Sequence, residues 1–329
     1  MSARPAASDP LAGLPADARP REGLAVGICT YRRRLLLERT LDRVLPACSA
    51  WGAPVQLIVI DNDGQDPAVR AAVEARAGRP GVSLHFAVEH DSGIAAARNA
   101  VFARADALAV RYLAMIDDDE WPESDWLVEL MAEQRRTGAA VVGAPVRPHF
   151  PVSAAHLTRW SRYWSVERQL VGGKPFVYAC GNFLVDLQAI EDEPRPLFDR
   201  AFGLSGGEDV VFFRRLFFSG RPMAWAEAAA VHEEVPPNRA SVAWLRQRRF
   251  GVGVNAVRWE RLDASAARTL AKTLGLTLRL LVYPLTGREP RTPWMGWLLE
   301  AEKVRGRFAA HLGHHIQPYA SAGAQADAR

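Results

Sequence analysis

The chain has 329 residues, 49% of them apolar, which is enough to bury the core of one large α/β domain and to carry an appendage. Its three scattered cysteines lack metal-ligand spacing, and their odd number argues against a disulfide framework and favours a reducing cytoplasm. The net charge of +4 is uneven, because residues 239–312 hold fourteen Lys or Arg against five Asp or Glu. This basic region is helix-like, rich in Leu and Trp and without a nucleic-acid-binding signature, so we exclude nucleic acid and expect an anionic membrane surface.

The two ends of the chain differ in composition from the rest. Residues 1–22 are rich in Ala, Pro, Arg and Asp and contain no continuous apolar stretch. They predict a disordered tail rather than a signal peptide or a membrane span. A second disordered tail is predicted over residues 313–329.

From residue 24 onward, short apolar runs alternate with amphipathic stretches. This alternation predicts strands at 24–29, 55–60, 82–88, 110–116 and 139–144. Helices are predicted between them, ending near 47 and covering 67–77, 93–107 and 123–136. Buried Val-, Ile- and Leu-rich strands joined by helices indicate a mostly parallel, Rossmann-like sheet with helices on both faces.

The second half of the chain is less regular at first and then helical. Residues 145–205 are interrupted by prolines and aromatics, and they predict loops and a strand pair around Phe176–Val185. Gly206–Asp209 opens an apolar helix that ends near Gly220. Beyond Pro237, helices are predicted at about 240–258, 264–282 and 294–311.

Polar clusters follow three of the predicted strands. They are Thr30–Arg32 after the first strand, Asp61–Gly64 after the second and Asp117–Glu120 after the fourth. Because ligands of parallel sheets sit at the carboxyl ends of the strands, these clusters are expected to converge on one cleft.

The four consecutive acids of Asp117–Glu120 repel one another, so they need a cation or full solvation. Mg²⁺ or Mn²⁺, held by one or two carboxylates and by diphosphate oxygens, would supply that cation. A solvated acidic turn, or helix caps before Trp121, is the other interpretation. Asp61 could accept a hydrogen bond from a base or ribose, or it could be a turn aspartate. Arg98 could reach a diphosphate, or it could be a surface helix residue.

Taken together, the motifs resemble those of the family 2 glycosyltransferases, which have the A-type fold. The matching segments, in order, are Val26–Arg33, Ile60–Gly64, Gly93–Asn99, Ile116–Glu120 and Gly206–Asp209. The resemblance covers about residues 23–235 and implies an α/β fold with a C-terminal helical appendage. A catalytic domain would then cover 23–238, with a nucleotide-binding half at 23–145 and an acceptor half at 146–238. Residues 239–312 would be the basic amphipathic helical region.

The resemblance also implies a nucleotide pocket and a metal site. The nucleotide pocket would be formed by Thr30, Tyr31, Arg32, Asp61, Arg98, Asp117 and Asp118. Within it, Thr30 and Asp61 would contact the base and Asp117 the ribose. The metal ligands would be Asp119, Asp117 and His232, although His232 could instead be a solvent-facing histidine after a strand.

Displacement at an anomeric carbon needs a base that takes the proton of the acceptor hydroxyl. By the same resemblance, Asp209 is the general base and Glu208 orients the acceptor or sugar. The other interpretation is that both acids simply favour a helix N-terminus. A single base without a second nucleophile favours inversion of configuration. The donor is expected to be a UDP-sugar, but Asp61–Gly64 departs from the common Asp-Asp-Gly-Ser, which leaves guanosine and thymidine open.

A cationic stripe and a leucine stripe share the predicted helix at 264–282. Three cations lie within about 40° of one another on a helical wheel, and leucines occupy the opposite side. The cations are Arg268, Lys272 and Arg279, and the leucines are Leu270, Leu274, Leu278 and Leu281. With Trp294 and Trp297, this composition is that of an interfacial helix that could place residues 264–300 on a membrane surface. A helix packed on its own domain, with its cations in water, remains the alternative.

For the whole protein, the expected function is transfer of a sugar to a glycan or polyprenyl-linked acceptor. The expected location is the cytoplasm, peripheral on the inner face of the cell membrane. Two alternatives are a metal-dependent nucleotidyltransferase or phosphohydrolase, and a noncatalytic nucleotide- or glycan-binding subunit. No Walker-type loop follows the first strand to support the former.

Overall fold

The computed structural model describes residues 21–203, 206–283 and 293–314. The strands within these ranges are β1 (Leu24–Thr30), β2 (Val55–Asp61), β3 (Val82–Val88), β4 (Tyr112–Ile116), β5 (Glu120–Pro122), β6 (Val141–Gly143), β7 (Val146–His149), β8 (Gln169–Val171), β9 (Lys174–Phe176), β10 (Asn182–Asp186), β11 (Met223–Trp225) and β12 (Val231–Glu234). The α-helices are α1 (Arg34–Ala50), α2 (Pro67–Glu74), α3 (Ile94–Ala107), α4 (Trp126–Thr137), α5 (Glu208–Phe218), α6 (Val242–Glu260), α7 (Ala266–Val282) and α8 (Pro293–His311). A kinked run of 3₁₀ turns covers Val152–Tyr163.

The central sheet has seven strands in the order β11-β6-β10-β4-β1-β2-β3. Strands β4, β1, β2 and β3 are parallel, and the β1–β2 register ends with Thr30 beside Asp61. Every residue of β1 is buried, since one face packs on α1, α2 and α4 and the other on α3 and α5. At Gly27 an added Cβ would lie 2.4 Å from the Val101 side chain, so the absence of a side chain lets α3 approach the sheet. The predicted α/β, Rossmann-like, mostly parallel fold is confirmed.

The strand pair expected around Phe176–Val185 is wrong. Strand β9 forms a hairpin with β8, while β10 lies antiparallel between β4 and β6 in the central sheet. The physical reason is burial: all five residues of β10 are buried, so both of its edges and faces need covering, whereas β8 is exposed. The insertion of β10 also separates β6, the shortened form of the strand expected at 139–144, from β4.

A second, three-stranded sheet has the order β5-β12-β7. It pairs Glu233 with Glu120 and His232 with Trp121. The sequence did not reveal these short strands. Because Glu120–Pro122 pair with β12, helix α4 begins at Trp126 rather than at the predicted 123.

The three C-terminal helices occur close to their predicted bounds. Helices α6 and α8 cross without side chains between their backbones, since an added Cβ on Gly253 would lie 2.0 Å from the Lys303 carbonyl oxygen. The buried Arg307 of α8 pairs with Glu260 at the end of α6. Asn255 of α6 donates to the Gly206 carbonyl at 3.1 Å, which attaches these helices to the start of α5.

Parts of two predictions lie outside the described residues. These parts are residues 1–20 and 315–329 of the expected disordered tails. Within the expected N-terminal tail, Arg21 forms an ion pair with Asp106 at 2.8 Å and the Glu22 amide donates to the Ala109 carbonyl at 3.0 Å. Across the described part of the chain, none of the helices has the length and apolarity that crossing a membrane requires.

Candidate active site

The acidic turn between β4 and β5 is held by polar contacts from β1 and α1. Thr30 Oγ1 donates to Asp118 Oδ2 at 2.7 Å, and Thr40 Oγ1 lies 2.9 Å from the Asp118 carbonyl oxygen. Arg33 Nη1 lies 3.2 Å from Asp118 Oδ1 and 3.0 Å from Asp119 Oδ2. Burial raises the pKa of Asp118 to about 7, against the opposing effects of Arg33 and Thr30. Asp118 therefore supports the turn from inside the protein.

Glu120, the last of the four consecutive acids, and Glu233 of β12 lie beside this turn, and the sequence indicated no individual role for either. The buried Glu120 accepts a hydrogen bond from the Asp117 amide at 3.1 Å, and burial raises its pKa well above the ordinary value. Gly181 leaves room for it, because an added Cβ there would lie 2.4 Å from Glu120 Oε1. Burial and the charges of Asp119 and Asp117 raise the pKa of Glu233 to about 7, although Arg239 and Arg248 oppose the shift.

His232, the expected third metal ligand, has other partners. Its Nδ1 lies 2.7 Å from His149 Nε2, its Nε2 lies 2.8 Å from Glu123 Oε1, and its ring stacks on Trp121 with centroids 5.7 Å apart. Successive side chains of a strand point to opposite faces, so His232 and Glu233 face opposite ways. The structure thus brings Glu233 to the acidic turn and places His232 against an aromatic cluster. Alternation along β12 was the signal that could have distinguished them.

Asp61 lies buried at the end of β2. Its Oδ1 accepts from the Asp63 amide at 3.1 Å and its Oδ2 from the Gly64 amide at 3.2 Å, so it closes the turn as one of the two interpretations expected. Burial raises its pKa, although the two backbone hydrogen bonds oppose the shift. Each carboxylate oxygen has a second lone pair that a nucleotide base could use.

Asn62 is a residue whose role the sequence did not reveal. Its Nδ2 donates to the carbonyls of Glu89 and Asp91 at 3.1 and 2.7 Å, and its Oδ1 accepts from the Gly93 amide at 3.0 Å. It thereby ties the end of β2 to the loop that starts α3, the helix that carries Arg98. These three hydrogen bonds satisfy the side-chain amide within the protein, which allows a polar residue to be buried there.

The loop after β1 lies against the loop after β2. Arg32 has a left-handed backbone, with φ 54°, and its Nε lies 3.1 Å from Asp63 Oδ1. Its guanidinium also lies 5.2 Å from the centre of the Tyr31 ring. Thr30, Tyr31 and Arg32 are therefore placed beside Asp61, as the convergence of strand ends predicts.

Arg98 is buried and joins the acidic turn to the start of α5. Its Nη1 donates to Glu208 Oε1, and its Nη2 lies 3.7 Å from Asp117 Oδ1. The guanidinium also lies 5.9 Å from the centre of the Phe198 ring. The surface-residue interpretation of Arg98 does not hold. One cation lies between two acids that are 91 residues apart in the sequence.

The acid pair at the start of α5 follows two glycines with φ of 74° and 96°, values that only glycine adopts without strain. Glu208 is buried, and its Oε2 has no hydrogen-bond partner among the described residues. Burial and Asp209 raise the pKa of Glu208 to about 7, although Arg98 lowers it. Asp209 Oδ1 accepts from the Val210 amide at 2.7 Å, and burial also raises the pKa of Asp209.

Within the described ranges, no three His, Cys, Asp or Glu side chains are arranged so that they alone could hold a metal ion. The donor set nevertheless suits Mg²⁺ or Mn²⁺, which take hard oxygen ligands and complete their shell with substrate phosphates. Asp117 and Asp119 supply two such carboxylates.

The mostly parallel sheet with acids at its strand ends, and an acid pair opposite them, agrees with the resemblance to glycosyltransferases of the A-type fold. The model of the glycosyl transferase family 2 matches residues 25–192. A curated relative, the succinoglycan biosynthesis protein ExoM of Rhizobium meliloti (strain 1021), is 40% identical over 233 residues, which are 69% of this chain and 72% of ExoM. The chain belongs to glycosyltransferase family 2, and the predicted family is confirmed. This membership favours a glycosyltransferase over the nucleotidyltransferase, phosphohydrolase and noncatalytic alternatives.

Solved structures with a similar course of the chain include the mannosyltransferase PcManGT from Pyrobaculum calidifontis in complex with GDP-Man and Mn²⁺. It is 16% identical, with a TM-score of 0.49 over 96% of this chain and 84% of that one. TarS 1–349 of S. aureus with UDP is 11% identical, with a TM-score of 0.48 over 88% and 92% of the two chains.

Proposed function

We propose that this enzyme is an inverting transferase that moves a sugar from a nucleotide diphosphate sugar, with a UDP-sugar favoured, and that it uses Mg²⁺ or Mn²⁺. The observation that carries the proposal is the position of Arg98 between Asp117 and Glu208. It holds the acidic turn and the acid pair of α5 on the two sides of one guanidinium. A donor diphosphate bound at the turn would then lie within reach of an acceptor bound at α5.

The donor pocket would be formed by the ends of β1, β2 and β4. Thr30 and Asp61 end adjacent parallel strands in register and would contact the base. Asp117 would contact the ribose and, with Asp119, hold the divalent ion. When bound, that ion would stabilise the negative charge of the departing diphosphate. Arg98 and the exposed side of Arg33 would add positive charge on the same side of the cleft.

Asp209 would take the proton of the acceptor hydroxyl as that oxygen attacks the anomeric carbon. A carboxylate with a raised pKa is a stronger base than an ordinary one, and Asp209 is partly buried, so the raised pKa suits this role while the side chain stays within reach of an acceptor. Glu208 would orient the acceptor through its Oε2, which lacks a partner among the described residues. Direct attack with one base leads to inversion at the anomeric carbon.

The acceptor would be a glycan or a polyprenyl-linked sugar. The relative ExoM is named for succinoglycan biosynthesis, and at 40% identity it supports a role in polysaccharide assembly. An enzyme of this kind would act in the cytoplasm, peripheral to the inner face of the cell membrane.

The first test is calorimetric binding of UDP, GDP and dTDP to the purified enzyme, with and without Mn²⁺. We expect tight binding of one diphosphate only with the metal, and its loss in Asp119→Ala but not in the surface control Asp192→Ala. Metal-independent binding, or no binding of any of the three, would overturn the proposed donor site.

A further inference from the structure

Helix α7 packs on its neighbours through threonines. Thr269 and Thr273 are 2% and 0% exposed. Thr273 Oγ1 accepts from Arg307 Nε at 2.9 Å, and Arg307 also binds both carboxylate oxygens of Glu260 at 3.0 and 2.7 Å. The inner face of this helix is therefore polar, and a charged network fixes it to α6 and α8.

The leucines of α7 lie on a different face. Leu270, Leu274, Leu278 and Leu281 are 40%, 50%, 66% and 75% exposed. We call these four residues the leucine face. On a wheel of about 100° per residue, the centre of this face lies about 115° from the direction midway between Thr269 and Thr273. Helix α7 does pack on its own domain, as the alternative interpretation has it, but through Thr269, Thr273 and the network of Glu260 and Arg307 rather than through these leucines.

Helix α8 begins with two exposed tryptophans, of which Trp297 contacts α7 and Trp294 packs edge-on against Trp160, with ring centroids 5.6 Å apart. Trp294 and Trp297 are 54% and 42% exposed, and Trp297 Nε1 donates to the carbonyl oxygen of Leu280 at 3.1 Å. That hydrogen bond places one indole at the C-terminal end of α7. Tryptophan is enriched where a protein meets the interface between lipid and water, because its ring is apolar and its N–H is polar.

The other flank of the exposed side of α7 is positively charged. Arg268, Lys272 and Arg279 lie together there, centred about 145° from the centre of the leucine face. Lys272 pairs with Glu260 at 2.7 Å, which leaves Arg268 and Arg279 on this flank, and no residue of α7 is acidic. Next to this flank is an open pocket of about 360 Å³ between α7, α8 and the 152–163 segment. Three arginines and one acid line it: Arg162, Arg249, Arg279 and Glu300. The acid is paired with Arg249, and Arg279 lines the same pocket from α7.

We propose that the leucine face, Trp294, Trp297 and the flanking cations form a surface that docks on an anionic lipid bilayer. Helix α7 would lie in the plane of the interface, with its leucines at the acyl boundary and Arg268 and Arg279 among the headgroup phosphates. Charge selects this partner, since a helix without acids that carries leucines on one exposed flank and Arg268 and Arg279 on the other complements anionic lipid. The surface stands independently of the donor and base assignments.

The test is co-sedimentation of the full chain with vesicles of phosphatidylcholine alone and with vesicles containing phosphatidylglycerol. We expect binding to the anionic vesicles that weakens with salt, and little binding to the neutral ones. The double variant Leu274→Gln with Leu278→Gln should bind anionic vesicles about tenfold more weakly. Arg268→Glu with Arg279→Glu should remove the preference for anionic lipid. The matched control is Val128→Gln with Leu170→Gln, which changes two exposed apolar residues outside this surface.

Donor binding and oligomeric state make the result decisive. The leucine variant should keep the diphosphate binding of the wild type, so failure of the lipid proposal is distinguishable from failure of the proposed function. No sedimentation of the wild type with anionic vesicles would overturn the proposal. So would a wild-type dimer in light scattering that the leucine variant converts to a monomer, because a second copy would then cover the face.

Discussion

The cleft at the strand ends and the surface of α7 depart from ordinary burial in opposite ways. In the cleft, Glu208, Asp118 and Arg98 are charged groups taken out of water. On α7, leucines stay in water while threonines are buried. Both arrangements are unfavourable for the isolated protein, since a buried charge loses hydration and an exposed leucine orders solvent. Buried charges and exposed leucines of this kind are typical of binding surfaces. The buried charges indicate a charged ligand for the cleft, and the exposed leucines indicate an apolar partner for α7.

The largest expected effect is on chemistry at the cleft. Asp209→Asn removes the proposed base, so we expect kcat to fall by about 10²- to 10⁴-fold while calorimetric binding of the donor diphosphate is retained. Steady-state release of the diphosphate product measures the rate. Asp192→Asn, an exposed acid paired with Arg221, is the control and should behave as the wild type. Wild-type turnover in Asp209→Asn would show that another residue is the general base.

The next effect concerns the cation between the two acids. Arg98→Met leaves the buried Glu208 carboxylate without its partner, so we expect a loss of about 3–5 kcal/mol in the free energy of unfolding at pH 8. Urea denaturation measures it. The double variant Arg98→Met with Glu208→Gln should recover much of the loss, because the uncompensated charge is gone. Equal destabilisation in the single and double variants would mean that packing on Phe198, rather than charge, is the reason Arg98 is there.

Glu233, the carboxylate beside the acidic turn, should make the free energy of unfolding depend on pH. Glu233 has a raised pKa of about 7 in the folded protein, compared with about 4.5 when unfolded. A group of this kind contributes stability below pH 4.5, and that contribution is lost as the pH rises through 7. Glu233→Gln should therefore leave the stability unchanged near pH 4 and increase it by about 1–3 kcal/mol at pH 8 without metal. Urea titrations at the two pH values test this, and Glu234→Gln, the same change at the exposed neighbouring acid of β12, is the matched control.

The smallest expected effect is on the stability of α7. Leu274→Gln with Leu278→Gln should change the free energy of unfolding by less than about 1 kcal/mol, since both side chains are exposed and Gln is a good helix former. The buried Leu299→Gln of α8 should cost several times more. Circular dichroism during urea denaturation compares the two. A large loss of unfolding free energy in the α7 variant would show that the leucine face packs on the protein. The leucines would then be ordinary core residues, and α7 would no longer differ from the rest of the protein in its burial.

Much of the site could be read from the sequence because parallel strands end at one edge. Thr30, Asp61 and Asp117 each follow an apolar run, and the rule for parallel sheets was enough to bring them together. The roles of Asn62, Glu120 and Glu233 could not be read in this way. Asn62 bonds to the loop before α3, and Glu120 and Glu233 lie on strands that pair only in the folded protein, and no local pattern states which strand pairs with which. His232 attracted attention by its residue type, whereas strand alternation assigns the acidic side to Glu233.

The sequence by itself determined the alternating strands and helices, the acidic strand ends, the acid pair after two glycines and the family. These features depend on local periodicity and residue chemistry, which are present in the chain before it folds. Only the tertiary structure decided that β10 enters the central sheet antiparallel, that Arg98 bridges Asp117 and Glu208, and that α7 packs through its threonines. Each of these depends on which distant residues fill the same buried space. Beside α7, the charged network of Glu260 and Arg307 fills that space, and the leucines of α7 stay exposed.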